Sequence, residues 1–296
     1  MAAAPPNPQP NPARLDDGRA MSKVALVTGA SSGIGEAAAR ELHKLGFVVY
    51  AAARRAERLA ALERDGIQAL SMDVTDDASA SAGVQQIIGA HGSVDVLVNN
   101  AGYGSYGALE DVALAEGRYQ FEVNVFGLAR LIQLVTPHMR EQRSGRIINV
   151  SSIGGKIYEP LGAWYHAAKF AVEGLSDSLR LELKPFGIDV VIVEPGAIRT
   201  EWAAIAADKL EQTSGATAYA DQARTVGGVL RSMDTHPRRA SDPSVVGKVI
   251  AAAATAKRPR TRYVIGFGAR PLLLARRVLP DRGFDQVMTI AYRTAV

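Results

Sequence analysis

Tyr165 and Lys169 stand four positions apart in Trp164-Tyr165-His166-Ala167-Ala168-Lys169, a spacing that places both side chains on one face of a helix. A phenol ionises near pH 10, too high to carry a proton at neutrality, and a nearby ammonium stabilises the phenolate. The pair is therefore suited to carrying a proton near neutral pH. Alone, Tyr-x-x-x-Lys is common in helices and more often structural.

A second stretch, Thr28-Gly29-Ala30-Ser31-Ser32-Gly33-Ile34-Gly35, fits two chemistries. Read as Gly29-x-Ser31-x-Gly33, it matches the strained turn that presents a nucleophilic serine in α/β hydrolases. Read as Gly29-x-x-x-Gly33-x-Gly35, it is a loop whose backbone can approach a pyrophosphate, between a strand and the N-terminus of a helix opening at Ile34. The hydrolase reading needs an acid and a later histidine; after the last core strands only His236 remains, in a polar, proline-containing stretch. The dinucleotide reading needs only what is present. Eighteen residues beyond Gly35, where an NAD site places an acid against the ribose hydroxyls, the chain has Ala53, Arg54 and Arg55. Guanidinium groups pair with a 2′-phosphate, so NADP(H) is favoured over NAD(H).

The elements around these residues alternate. Strands are expected at Val24–Thr28, Val48–Ala52, Gln68–Met72, Val94–Asn99, Gly145–Ser151, Asp189–Glu194 and Tyr263–Ile265. Helices are expected near 34–45, 56–64, 77–91, 118–141, 163–185 and 243–256. Runs such as VDVLVNN and IDVVIVEP are apolar throughout, as strands buried on both faces must be. The pattern predicts an α/β fold: a single Rossmann-type, doubly wound parallel sheet of about seven strands with helices on both faces. Residues 201–242 break the rhythm and read as an insertion over the carboxyl ends of the strands. Residues 1–20, with five of the 14 prolines, read as a disordered extension ahead of a domain spanning 21–296, with Met21 as a natural start.

Composition removes other classes. The 296 residues include no cysteine, which excludes disulfides and thiolate chemistry, and the five histidines are scattered without ligand spacing, so no metal site is expected. No apolar run is long enough to cross a bilayer and no signal-peptide layout is present, which predicts a cytoplasmic location. The Asn149-Val150-Ser151 sequon lies in a run that reads as a buried strand and is taken as chance. The net charge is +4, yet residues 257–296 carry nine Lys or Arg against two Asp. This basic C-terminal segment is read first as a solvated face beside a subunit contact. Peripheral membrane contact ranks below that, and nucleic-acid binding is not expected.

Together these motifs resemble the short-chain dehydrogenase/reductase family, in the subgroup with a TGxxxGxG loop and a YxxxK pair. The match adds Asp73-Val74, Asn99-Asn100-Ala101-Gly102, Asn124, Ser151-Ser152, Pro195-Gly196 and Thr200, covering about residues 21–200. The resemblance implies Tyr165 as general acid or base, Lys169 lowering its pKa and binding the nicotinamide ribose, and Ser152 bonding the substrate oxygen. It also implies Asn124 as the anchor of a water in a proton relay. Gly29, Ser31, Ser32, Gly33, Ile34 and Gly35 would hold the cofactor phosphates, with Arg54 and Arg55 beside the 2′-phosphate. Asp73 and Val74 would meet the adenine, and Asn100, Ala101 and Gly102 the adenosine ribose. Pro195, Gly196, Ile198 and Thr200 would border the nicotinamide and its phosphate. The texture of the chain resembles the retinol and hydroxysteroid dehydrogenase branch, which implies an apolar, bulky alcohol or ketone. Tyr103, Tyr106, Ile153, Tyr158, Trp164 and Trp202 are the expected pocket walls. The helices at 118–141 and 163–185 resemble those that pair subunits, implying a homodimer or homotetramer. The alternative from another class is a catalytically silent nucleotide sensor or scaffold on the same fold.

Overall fold

A computed structural model describes residues 22–236 and 238–294. The extension expected at 1–20 and the start at Met21 lie outside the described residues. Seven parallel strands form one sheet in the order β3-β2-β1-β4-β5-β6-β7: β1 Val24–Thr28, β2 Val48–Ala53, β3 Gln68–Ser71, β4 Val96–Asn99, β5 Gly145–Val150, β6 Ile188–Pro195 and β7 Arg262–Ile265. The strand order reverses between β1 and β4, and a ligand crevice in such a sheet lies outside the carboxyl ends at that point.

Both faces of the sheet are covered, which is why its strands alternate so little. On one face, α1 (Gly33–Lys44) and α9 (Pro243–Thr255) bury Ala38, Ala39, Leu42, Val246 and Ile250 against β1, β2, β4, β5 and β6. The two helices touch backbone to backbone: a Cβ on Gly247 would sit 2.8 Å from the Ala37 carbonyl. The other face is covered by α3 (Asp77–His91), α5 (Gly127–Glu141) and α6 (Ala163–Leu183), through Val84, Ile87, Leu131, Val135 and Val172. A short α2 (Ala60–Arg64) follows a 3₁₀ turn at Ala56–Leu59.

Two expectations change. The helix expected at 118–141 is α4 (Leu114–Phe121), a π turn at Glu122–Phe126, then α5. The stretch 201–242 holds two helices packed together, α7 (Glu201–Ser214) and α8 (Ala220–Thr235), and the basic segment beyond β7 folds as α10 (Ala269–Val278) and α11 (Asp281–Thr294). These four helices and the 153–158 loop share a third apolar cluster that includes Tyr106, Tyr165, Leu210, Leu230, Phe284 and Met288.

Candidate active site

A cleft of about 630 Å³ lies over the carboxyl ends of β1, β4, β5 and β6, roofed by α7, α8 and the C-terminal helices. Its floor on the β1 side is the glycine loop. Gly29 and Gly33 have φ of +63° and +58°, the left-handed region that glycine enters freely. A Cβ on Gly35 would lie 2.3 Å from the Gly29 carbonyl oxygen, so the turn closes only without one. Ser32 precedes α1 in extended conformation, and no side chain caps the first turn, leaving its N–H groups directed at the cleft.

The loop is bolted to β4 by Thr28, the first residue of the TGxxxGxG motif, to which the motif alone assigned no role. The buried Thr28 hydroxyl accepts the amides of Asn100 (3.1 Å) and Ala101 (3.0 Å), while the Asn100 amide donates to the carbonyls of Thr28 (3.0 Å) and Gly29 (3.2 Å). The motif marks Thr28 but not this contact, which depends on β1 and β4 being neighbours across some 70 residues of chain.

The structure brings Gly29, Ser32, Gly33, Ile34, Asn100, Ala101, Gly102, Ser152, Tyr165, Lys169, Pro195, Gly196, Ile198 and Thr200 to this one cleft. Ser31, Gly35, Arg54, Arg55, Asp73, Val74 and Asn124 are not part of its wall. Arg54 and Arg55 are exposed at the end of β2, and Arg54 donates to the Tyr119 hydroxyl (3.0 Å). Asp73 turns its carboxylate back on Thr75, accepting from its amide and its hydroxyl, and Val74 packs on Gly127. Asn124, buried in the π turn, exchanges two bonds with the Tyr103 backbone (3.1 and 2.9 Å), which consumes both ends of its amide. Among the expected walls, Tyr103, Tyr106, Ile153 and Trp202 line the cleft, but Trp164 and Tyr158 do not. Trp164 packs edge-to-face on Phe121 over Gly117, where only a glycine leaves room for the indole, and Tyr158 is drawn to α11 by a bond to Asp285 (2.8 Å).

Tyr165 and Lys169 share one face of α6. Burial holds the Tyr165 phenol above its ordinary value, opposed by a hydrogen bond with Ser152 and reinforced by the charge of Glu159. The group pulling the phenol down is thus Ser152; the Lys169 ammonium lies 6.0 Å from the ring centre and donates to the Val150 carbonyl (3.0 Å). Burial lowers Lys169 to about 8, with Glu173 acting in the opposite sense. Ser152 itself is fixed as the cap of the 153–155 turn, accepting the Gly154 amide (3.0 Å). His166, one of the scattered histidines, accepts the Glu159 amide at Nε2 (3.0 Å) and faces the Gly154 carbonyl with Nδ1 (2.9 Å), which makes Nδ1 the protonated nitrogen. It clamps the loop between Ser152 and α6.

The family model described as short chain dehydrogenase matches residues 23–211. The chain belongs to the short-chain dehydrogenase/reductase family. It is an oxidoreductase on a Rossmann-type sheet, as the motifs implied. This short-chain dehydrogenase is 36% identical over 272 residues to the 3-ketodihydrosphingosine reductase of Bacteroides thetaiotaomicron, covering 91% of this chain and 98% of that one. Its fold superposes on a short-chain dehydrogenase from Streptomyces avermitilis with a TM-score of 0.74 at 34% identity, covering 93% and 97% of the two chains. A metagenomic short-chain oxidoreductase in complex with NADP matches with a TM-score of 0.65 at 31% identity over 82% and 96%. A Burkholderia phymatum homologue in complex with NAD matches with 0.69 at 26% over 81% and 88%. Structural neighbours of this dehydrogenase therefore bind either nicotinamide cofactor. No helix among the described residues is long and apolar enough to cross a membrane.

Proposed function

We propose that this dehydrogenase uses NADP(H) to interconvert a secondary alcohol with a ketone, or a primary alcohol with an aldehyde, on an apolar molecule. The observation that carries the reading is the convergence of Ser152, Tyr165 and Lys169 on the cleft that the glycine loop floors. The residues fit a dinucleotide: Gly29 and Gly33 bring bare backbone to the cleft in a turn that Gly35 lets close without a Cβ, beside an uncapped helix N-terminus. When bound, the nicotinamide supplies or accepts hydride. The rest is the protein's task. Ser152 and Tyr165 direct hydroxyls at the substrate oxygen, and a phenol held protonated by burial is in the form that donates to a carbonyl as it becomes an alkoxide. Lys169 holds a positive charge behind the phenol. Asn124, with its side chain spent on Tyr103, would act through the backbone of its π turn. The cleft's aromatic and aliphatic walls keep water from the reacting atoms, and a relative named for a keto sphingoid substrate supports an apolar one.

Arg54 and Arg55, exposed at the end of β2, support NADP(H) over NAD(H). The same reading extends to a cytoplasmic homodimer or homotetramer, supported by Phe126, Phe170 and Leu181, apolar side chains exposed on the π turn and α6. Two variants test the chemistry. Tyr165→Phe should lower turnover of carbonyl substrates by about 10²–10⁴-fold while NADPH still binds; retained turnover refutes the role of the phenol. Arg54→Ala should weaken NADPH by about tenfold and leave NADH unchanged in fluorescence titration. Equal affinity of the native protein for both cofactors refutes the preference.

A further inference from the structure

Carbonyl reduction gives no task to Glu159. Its carboxylate lines the substrate side of the cleft among apolar residues that include Ile153, Trp202, Leu272 and Met288. It accepts the Tyr106 hydroxyl (3.0 Å), and burial together with its charge pushes the Tyr292 phenol of α11 well above the ordinary value. Tyr106 stacks 5.9 Å from the Tyr165 ring, so the carboxylate stands one ring away from the reacting oxygen, close enough for its charge to act on the Tyr165 phenol.

The backbone holds this carboxylate in place at a cost. The Glu159 amide is fixed by His166, and two residues on Leu161 sits at φ +63°, a conformation that a branched side chain avoids, with its carbonyl held by the Gly107 amide at 2.8 Å. Strain of this kind persists only where the surroundings over-determine it, and it gathers at functional sites. A carboxylate among apolar walls is expensive to bury without partners. The Tyr106 phenol uses one of its roughly four acceptor positions, and a neutral donor leaves the negative charge in place. Of the other charged groups of the cleft wall, Lys169 stands on the cofactor side at Val150 and Glu201 is paired with Arg58.

We propose that Glu159 selects substrates that carry a protonated amine a few ångströms from the reacting carbon, namely amino ketones and their amino alcohols on an apolar body. This rests on the reading of the cleft as an alcohol and carbonyl site. An ammonium donates to the free lone pairs of the carboxylate and cancels its charge in a cleft walled largely by apolar side chains; a neutral hydroxyl does only the first.

The test is calorimetric titration of NADP⁺-loaded Tyr165→Phe protein, in which turnover is suppressed, with phenylethanolamine and with phenylpropanol, a neutral near-isostere. With Glu159 present, phenylethanolamine should bind about tenfold or more tighter, the reach of one charge-assisted hydrogen bond. Adding Glu159→Gln should bring the two ligands to parity while phenylpropanol and NADP⁺ bind as before. Tyr292→Phe, which removes a neutral phenol under the influence of the same carboxylate, should keep or widen the preference and serves if the Gln variant fails to fold. Equal binding of the two ligands with Glu159 present, parallel weakening of both by Glu159→Gln, or loss of the preference in Tyr292→Phe overturns the proposal. So does failure of both ligands to bind while NADP⁺ does. Failure of NADP⁺ itself to bind, or turnover that survives Tyr165→Phe, is a different result and strikes the parent reading instead.

Discussion

At the scale of single residues, the candidate site was legible because proton transfer requires particular side chains at particular spacings. A phenol four residues before an ammonium on one helix face, with a serine thirteen residues upstream, leaves few alternative assignments. What the sequence could not show is how the charges are balanced. In the structure Ser152 is the group that bonds the phenol, while the Lys169 ammonium donates to the Val150 carbonyl and lies 6.0 Å from the ring centre. Burial lowers Lys169 to about 8 from 10.5, which yields a prediction. NADP(H) affinity of the free enzyme should fall as pH rises through about 8 and the ammonium is lost, and Lys169→Met should flatten that dependence. Fluorescence titration at several pH values checks it; an unchanged slope in the variant refutes it. The stability sign is opposite. A lysine depressed in the folded state binds fewer protons there than in the unfolded chain, so its cost to folding is relieved as pH rises from about 8 toward 10.5. Loss of cofactor affinity above pH 8 would therefore not be a symptom of unfolding.

At the scale of elements, the strands were readable because burial on both faces removes the polar half of the alternation, as in β4 and β6. Their ends moved by only one or two residues. The break between α4 and α5 was not readable, since a π turn adds a residue without any compositional mark, yet it places Asn124 against Tyr103. Nor does a strand pattern reveal that a buried glutamate needs a partner. Glu194 of β6 meets Glu173 of α6, with Arg262 of β7 and Lys156 beside them. Burial and the neighbouring Glu173 charge push its carboxyl up to about 7 from 4.5, against the pull of Arg262 and Lys156. A carboxyl raised in the folded state binds more protons there, so it should cost stability progressively as pH rises from about 4.5 to 7. Glu194→Gln should remove that fall, on the order of 2 kcal/mol, and make urea midpoints at about pH 5 and pH 7.5 nearly equal. A variant that keeps the native difference would show that another group is responsible.

At the scale of the whole molecule, the C-terminal segment shows how composition can mask a pattern. Its arginines drew attention to charge, while Phe284, Met288 and Tyr292, each four residues apart, form one helix face buried against Tyr158, Leu230 and the cleft. Arg276 covers that face from outside, lying 5.4 Å over the Tyr158 ring and 5.5 Å over Phe284. The charge therefore helps to seat α11 across the cleft rather than merely solvating a tail. The glycine loop and the Thr28 bolt lie at the other end of the cleft and do not depend on this contact. Phe284 is fully buried, and replacing a buried phenylalanine by alanine costs about 3–5 kcal/mol. If α11 undocks as a local unit, that cost falls on the substrate half alone. Phe284→Ala should then raise the KM for an apolar carbonyl substrate about tenfold or more, leave NADPH affinity within about twofold, and lower Tm by several degrees. Steady-state kinetics beside NADPH titration separates the two halves. A parallel loss of cofactor binding would show that α11 supports the whole fold, and the cleft could not then be treated as two independently anchored subsites.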